Sequence, residues 1–315
     1  MASQLLTRPQ LALSTWALLA LFRHGCMTRH HLALVVRSHP DAVRRSLSRL
    51  EKQGFAKGVG VGSHPTVSLW IATIPGGMAA SKLLGVEADR RLLQRAERLA
   101  SQIGAHELGT AELLVLFVRA SEPPRRGLIE WQAPWLAARP FRKEVPGSHL
   151  VRFELSPDAA GECLLAGGVV RFFVETDTGT EDLGQVAEKG TRYIRALRAR
   201  RREAPWAVLV ACPTVRRAAN VAEAVGSALE PGDEDVAQFL VAAKPVLAER
   251  GPFASGVWED AQTGERVRLE DLAGWPRERD YSLEEGDFVG FPPRDRVARD
   301  ESGRFAPRRA GERRE

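Results

Sequence analysis

The chain has 315 residues, 44% of them apolar, and a formal charge of +5; its pI is about 9.4. This length suits two domains plus tails, and the basic balance is compatible with a polyanionic partner. Cys26, Cys163 and Cys212 form no CxxC pair, which excludes a disulfide framework and a zinc ribbon, and no GxGxxG or Walker A sequence offers a phosphate cradle.

No basic leader with a cleavage site opens the chain, and the apolar run Leu11 to Phe22 is too short to span a bilayer. The expectation is a soluble cytoplasmic protein with no membrane partner and reduced cysteines.

Residues 8–85 read as a winged helix. Pro9 stands near the start of a helix carrying Leu11, Trp16, Leu18, Leu19 and Phe22, which Gly25 ends. Thr28 caps a second helix through Val36, with Leu32 and Val35 turned inward. After the turn Ser38 to Asp41, a third helix is expected from Ala42 to Gln53. Val43, Leu47 and Leu50 form its apolar stripe and leave Arg44, Arg45, Ser46, Ser48, Arg49 and Lys52 for the outer faces. The extended, glycine-bearing segments Gly58 to Ser63 and Thr66 to Ala72 have the composition of a β-hairpin wing. Three short helices and a hairpin form a recurring DNA-binding layout in which the third helix enters the major groove. Arg44, Arg45, Ser48, Arg49 and Lys52 are the expected DNA-binding residues, with Lys57 and His64 as backbone contacts from the wing. A solvated basic face, or a protein-docking module, is the competing reading.

Residues 86–105 read as a helical connector, either a dimer seam or a helix lying on the first domain. A second domain over 106–250 follows. Glu107 to Val118 is helical, with Glu107 and Glu112 as candidate acids; Ser121 to Arg126 is a loop and Leu128 to Trp131 a short strand. Residues 134–150 read as a basic loop with Arg139, Arg142 and Lys143 exposed.

Ser156 to Tyr193 carries the densest chemical signal. Pro157-Asp158 closes an extended run, a polar turn containing Gly161 follows, and Val169 to Val174 is a strand that ends in Glu175-Thr176-Asp177. Thr178 and Glu181 have capping-box spacing for the next helix, on which Gln185, Lys189 and Tyr193 recur every fourth residue and share a face. Asp158 and Glu175 meet if their strands are neighbours, and alternation sends Asp177 to the face of Glu175. Carboxylates so gathered need a divalent cation or a lysine to neutralise them. Mg²⁺ held by one or two carboxylates and phosphate oxygens is one solution, and solvated acids at strand ends are the other. Trp206 to Cys212, a helix from Thr214 to Leu229 and Val236 to Ala243 continue an α/β alternation.

Pro157-Asp158 followed by a strand ending Glu175-x-Asp177 resembles the PD-(D/E)xK nuclease-like superfamily. That resemblance implies a mixed sheet flanked by helices, Asp158 and Glu175 as Mg²⁺ ligands, and a catalytic lysine. Asp177 stands where the pattern has that lysine, so Lys189 on the following helix takes its role, supported by Gln185 and Tyr193. Preceded by the winged-helix reading, the phrase from Phe172 to Tyr193 more closely resembles the replication-relaxation family, over residues 8 to 245. The fold expected is therefore α/β (α+β), a winged helix-turn-helix followed by a PD-(D/E)xK-like mixed sheet. The function implied is double-stranded DNA binding in plasmid or mobile-element replication or mobilisation. Catalytic residues would be Asp158, Glu175, Asp177 and Lys189; partners would be DNA, a second copy, and replication or relaxase proteins. The alternative is a transcriptional or copy-number regulator whose second domain dimerises or senses a ligand. Residues 251–291 read as a small extension, with a hairpin about Thr263-Gly264, and 292–315 as a disordered tail.

Overall fold

A computed structural model describes residues 11–61, 64–86, 104–123, 125–144, 151–166, 168–199 and 206–272, together with 90, 93–94, 289, 298–299 and 305–306. Pro9, most of the 86–105 connector, residues 145–150, the arginine run 200–202 and most of the tail lie outside the described residues. The chain divides into two compact units, Met1–Leu108 with Leu283–Glu315, and Gly109–Ser282.

The first unit runs α1 (Leu13–His24), α2 (Arg29–Val35), α3 (Pro40–Lys52), β1 (Ala56–Val61), β2 (His64–Ala72) and α4 (Ile74–Leu84). Thr28 caps α2 by accepting from the His31 N–H at 3.1 Å. α3 starts two residues before the sequence expectation because Pro40 takes its first turn, where a missing N–H costs nothing, and His39 supplies the cap. Leu18, Leu21 and Phe22 of α1, Leu32 and Val35 of α2, and Val43, Leu47 and Leu50 of α3 are buried, as are Leu69 and Ile71 of β2. β1 and β2 form the antiparallel wing, and a bridge between Met27 and Trp70 adds a minimal third strand. These elements, in this order, are a winged helix. Ser46 does not join the outer face of α3; it is buried on the side of Leu47.

The second unit is built on a seven-stranded mixed sheet. Its strands are β3 (Gly127–Gln132), β6 (Ala159–Leu165), β7 (Gly168–Thr176), β8 (Trp206–Cys212), β9 (Ala237–Ala243), β10 (Trp258–Asp260) and β11 (Arg266–Val267), in spatial order 11-10-9-8-7-6-3. β7, β8 and β9 are parallel and the outer pairings antiparallel. The unit boundary falls within α5 (Gly104–Ala120), whose Phe117 stacks on Phe172 at 5.3 Å from one sheet face. The crossover helices α7 (Leu183–Arg198) and α8 (Val215–Ala228) cover the other face, packing Ile194, Leu197, Val221 and Val225 on Phe173, Val208, Val210 and Phe239. β7 through β9 are near-continuous apolar runs because both of their faces are covered.

Three expectations are corrected. Gly161 is no turn residue: it lies inside β6, where a Cβ would stand 2.5 Å from the Phe172 ring and 2.9 Å from the Glu130 carbonyl. The Thr178–Glu181 capping box does not form. Asp177 instead accepts from the Gly179 N–H at 3.0 Å, the chain turns, and α7 starts later with Asp182 as its cap. The stretch read as a basic loop contains α6 (Pro134–Ala137), a 3₁₀ turn at Arg139–Phe141, and a two-stranded ribbon of β4 (Arg142–Glu144) and β5 (Val151–Phe153). α9 (Lys244–Arg250) has no counterpart among the expected elements, and within 292–315, expected to be disordered, β12 (Ala298–Arg299) pairs with β13 (Phe305–Ala306).

Candidate functional site

The first unit offers a basic helix face. The apolar stripe of α3 fixes its rotation, and Arg44, Arg45, Ser48, Arg49 and Lys52 are all exposed on what remains. Arg44 Nε lies 3.8 Å from Asp41 Oδ1, an exposed pair worth little and easily exchanged for a phosphate. Lys57 is half-buried on β1.

The second unit gathers charge at the C-terminal ends of its parallel strands. Asp158 enters β6 beside the end of β7, its N–H donating to the Val174 carbonyl and its Oδ2 accepting from the Thr176 N–H at 2.7 Å. Glu175 is buried, and Tyr193 donates to its Oε1 while Lys189 ion-pairs with its Oε2. Asp158, Glu175, Lys189 and Tyr193 are thus brought together. Gln185, one turn earlier on α7, is exposed and takes no part. Burial first, and the Asp158 charge second, push Glu175 up from 4.5 to about 7 against the pull of Lys189. Burial alone would lower Lys189, but Glu175 and Asp158 raise it overall, so it stays an ammonium. Burial and the neighbouring Glu175 raise Tyr193, which therefore remains a donor.

Asp177 takes a partner absent from the sequence reading. Arg217 grips it with two donors, Nε to Oδ2 at 2.7 Å and Nη2 to Oδ1 at 3.2 Å, and also holds the Glu181 carbonyl. Burial and Asp177 together push the Cys212 thiol up to about 12, leaving it inert as a nucleophile. Lys244 opens α9 at the end of β9. It has no ion pair among the described residues; its amine lies over Gly109 and beside the Thr176 methyl, and burial lowers it. The electrostatic neighbours of Lys244 include Glu112, Asp177 and Asp158. Glu107 lies elsewhere, against Cys26 in the first unit. One signal did mark the missed cations. Arg217 and Lys244 sit in first helical turns, where the helix dipole disfavours positive charge and an acid must compensate.

A cavity of about 30 Å³, room for about one or two waters, lies between Glu175, Asp177, Lys189, Tyr193 and the apolar Val186, Val210 and Val225. Among the described residues, no group of three or more His, Cys, Asp or Glu side chains is arranged to hold a metal ion. Asp158 and Glu175 remain a two-carboxylate set of the kind that holds Mg²⁺ together with phosphate oxygens. As they stand, both Glu175 oxygens are engaged, so the set fits Mg²⁺ only if Lys189 withdraws from Oε2.

A family model described as replication-relaxation matches residues 18–209. No curated protein matches the chain. Among solved structures, a mutant of Lactococcus lactis ZitR in apo form is 21% identical, with 29% of this chain and 67% of that chain covered and a TM-score of 0.22. A structure titled transcriptional regulator PA4135 is 17% identical, with 37% and 82% covered and a TM-score of 0.24. The winged helix of this chain is assigned from its own elements.

Proposed function

Because the chain belongs to the replication-relaxation family, and because α3 turns its cations to solvent, we propose that it docks on duplex DNA through α3 in plasmid or mobile-element replication or mobilisation. The observation that carries this reading is the joint exposure of Arg44, Arg45, Ser48, Arg49 and Lys52 above a fully buried Val43–Leu47–Leu50 stripe. Guanidinium groups on an exposed helix serve phosphate contact and bidentate base contact alike, and the wing supports the helix from the side. Gel-shift titration of the full chain between about 50 and 200 mM salt tests it, with log K expected to fall by about 0.9 per neutralised phosphate for each log unit of salt. The variant Arg44→Ala, Arg45→Ala, Arg49→Ala should lose affinity and flatten that slope while its thermal unfolding is unchanged. Equal slopes in the two proteins would remove the proposal.

A second reading, Mg²⁺-dependent DNA cleavage, is supported by the convergence of Asp158, Glu175 and Lys189 at one strand end. Bound by Asp158 and Glu175 with phosphate oxygens, the ion would supply Lewis-acid stabilisation of phosphoryl charge. Lys189 stands beside these acids as the chain's own cation, and Tyr193 holds Glu175 in place. Nicking of supercoiled plasmid that disappears in both Asp158→Ala and Glu175→Ala would establish this reading. Gel shift without nicking would leave the second unit a scaffold, with the regulator alternative in front.

A further inference from the structure

The β4–β5 ribbon sets like charges opposite each other. Lys143 and Arg152 stand directly opposite each other in its antiparallel register. Side chains so placed share a face roughly 5 Å apart at Cβ, and like charges there repel. Both are exposed. Glu154 lies 3.1 Å from Lys143 and offsets part of the repulsion. Arg142, on the alternate position, and Arg139, in the turn before it, are exposed as well. Over residues 139–154 four cations face two acids, Glu144 and Glu154.

The ribbon is fixed at its base. Phe141 and Leu155 are both buried in the core under α7 and α8, with the Phe141 ring 5.6 Å from that of Phe173. The Glu154 N–H donates to the Phe141 carbonyl at 3.0 Å and extends the ladder. The cations are therefore presented from the second unit at set positions.

We propose that this ribbon is a second nucleic-acid contact, in which Arg142, Lys143 and Arg152 bind the phosphodiester backbone. The inference rests on the DNA-binding reading of the chain and extends it to the second unit. A polyanion removes the cross-strand repulsion by neutralising both charges at once, and a two-stranded ribbon has the width that a major groove admits. An anionic membrane offers similar charge, but surface-binding elements pair cations with an exposed apolar face. The exposed large apolar residues among the described ones, Leu34, Met78, Val86 and Val215, all lie outside the ribbon. A backbone contact on each unit would make binding by the second effectively intramolecular once the first is seated.

The test is the double variant Lys143→Gln, Arg152→Gln in the full chain, alongside the α3 triple variant. The glutamines keep a polar side chain with part of the aliphatic stem and remove the repulsion, so thermal stability should hold or rise. The salt slope should fall by about two and affinity at ~0.1 M salt by about tenfold or more. The α3 variant should retain weak, salt-dependent binding that the added ribbon changes abolish. If the ribbon variant binds DNA as wild type does while the α3 variant does not, the ribbon proposal is overturned and the α3 reading stands. If wild type binds no DNA, both fall. Binding to phosphatidylserine vesicles that the ribbon variant alone loses, with DNA affinity unchanged, would assign the ribbon to membranes and equally overturn the proposal.

Discussion

Glu175 is buried as a carboxylate at a cost that pH should reveal. Its folded value of about 7 lies above the ordinary 4.5, with burial the main cause and Asp158 the second. A raised acid contributes stability that is fully present below the unfolded value and lost as pH rises through the folded one. The window is therefore pH 4.5 to about 7, and stability should fall across it. At about 1.4 kcal/mol per pH unit, the drop is on the order of 3 kcal/mol. Glu175→Gln removes the titration, keeps the volume, and still offers an oxygen to Tyr193. Lys189 keeps Asp158 as a neighbouring charge. The assay is urea unfolding of the full chain at fixed pH values, with the β7 segment followed by pulsed hydrogen exchange so that the second unit is read separately. Other groups titrate in the same range, so the quantity of interest is the wild-type curve minus the Glu175→Gln curve. Wild type should lose about 3 kcal/mol relative to the variant between the two limits. A flat difference, or one that rises with pH, would refute the assignment of Glu175 as a carboxylate raised by burial.

Arg217→Met should destabilise the second unit by about 3 to 5 kcal/mol, because it strands the buried Asp177 without its counter-ion. Adding Asp177→Asn should restore most of that loss in the same urea assay; no restoration would show that Arg217 acts by packing alone. Gly226→Ala should cost about 1 to 3 kcal/mol, since a Cβ on α8 would overlap the Ala261 carbonyl. An unchanged midpoint there would mean that the α8–Ala261 approach relaxes freely.

The legible parts of this chain are those where local pattern and burial agree. Val43, Leu47 and Leu50 recur at helical spacing, so the exposed set on α3 follows from the sequence with one exception, Ser46, which is small enough to share the buried side. Glu175 is legible because an acid at the end of an apolar strand is conspicuous, and Lys189 and Tyr193 because they repeat every fourth residue. Gln185 fits the same spacing but sits exposed in the first turn of α7, away from the buried side that carries Tyr193. Gly161 is ambiguous in the sequence because glycine has two uses: it permits turns, and it admits a neighbour where a side chain would collide. Only the contact with Phe172, supplied by the next strand, decides between them. Arg217 lies 40 residues from Asp177, so no local spacing connects the two.

The acids and cations of the second unit share one physical origin. Parallel strands deliver their C-terminal ends to one edge, and each following helix starts there. Helix N-termini favour anions by about 0.3 to 1 kcal/mol, so Asp182 is at ease as the cap of α7, whereas Arg217 and Lys244 are placed against that preference. The opposition is outweighed because a buried carboxylate without a counter-charge costs about 3 to 5 kcal/mol. Glu175 and Asp177 are thus met by Lys189 and Arg217, carried by different helices, while Lys244, without an ion pair among the described residues, lies in the field of Glu112, Asp177 and Asp158. An acid pair at a strand end is therefore weak evidence for a metal, since the same fold can supply its own cations. For Asp158 and Glu175 to hold Mg²⁺, Lys189 would have to leave Glu175 Oε2, and the freed ammonium would then need an anion of its own. A phosphate group would meet that need and could also supply oxygens to the ion. Any metal chemistry at this edge should accordingly depend on DNA being present, and would then link the second unit to the docking proposed for the first.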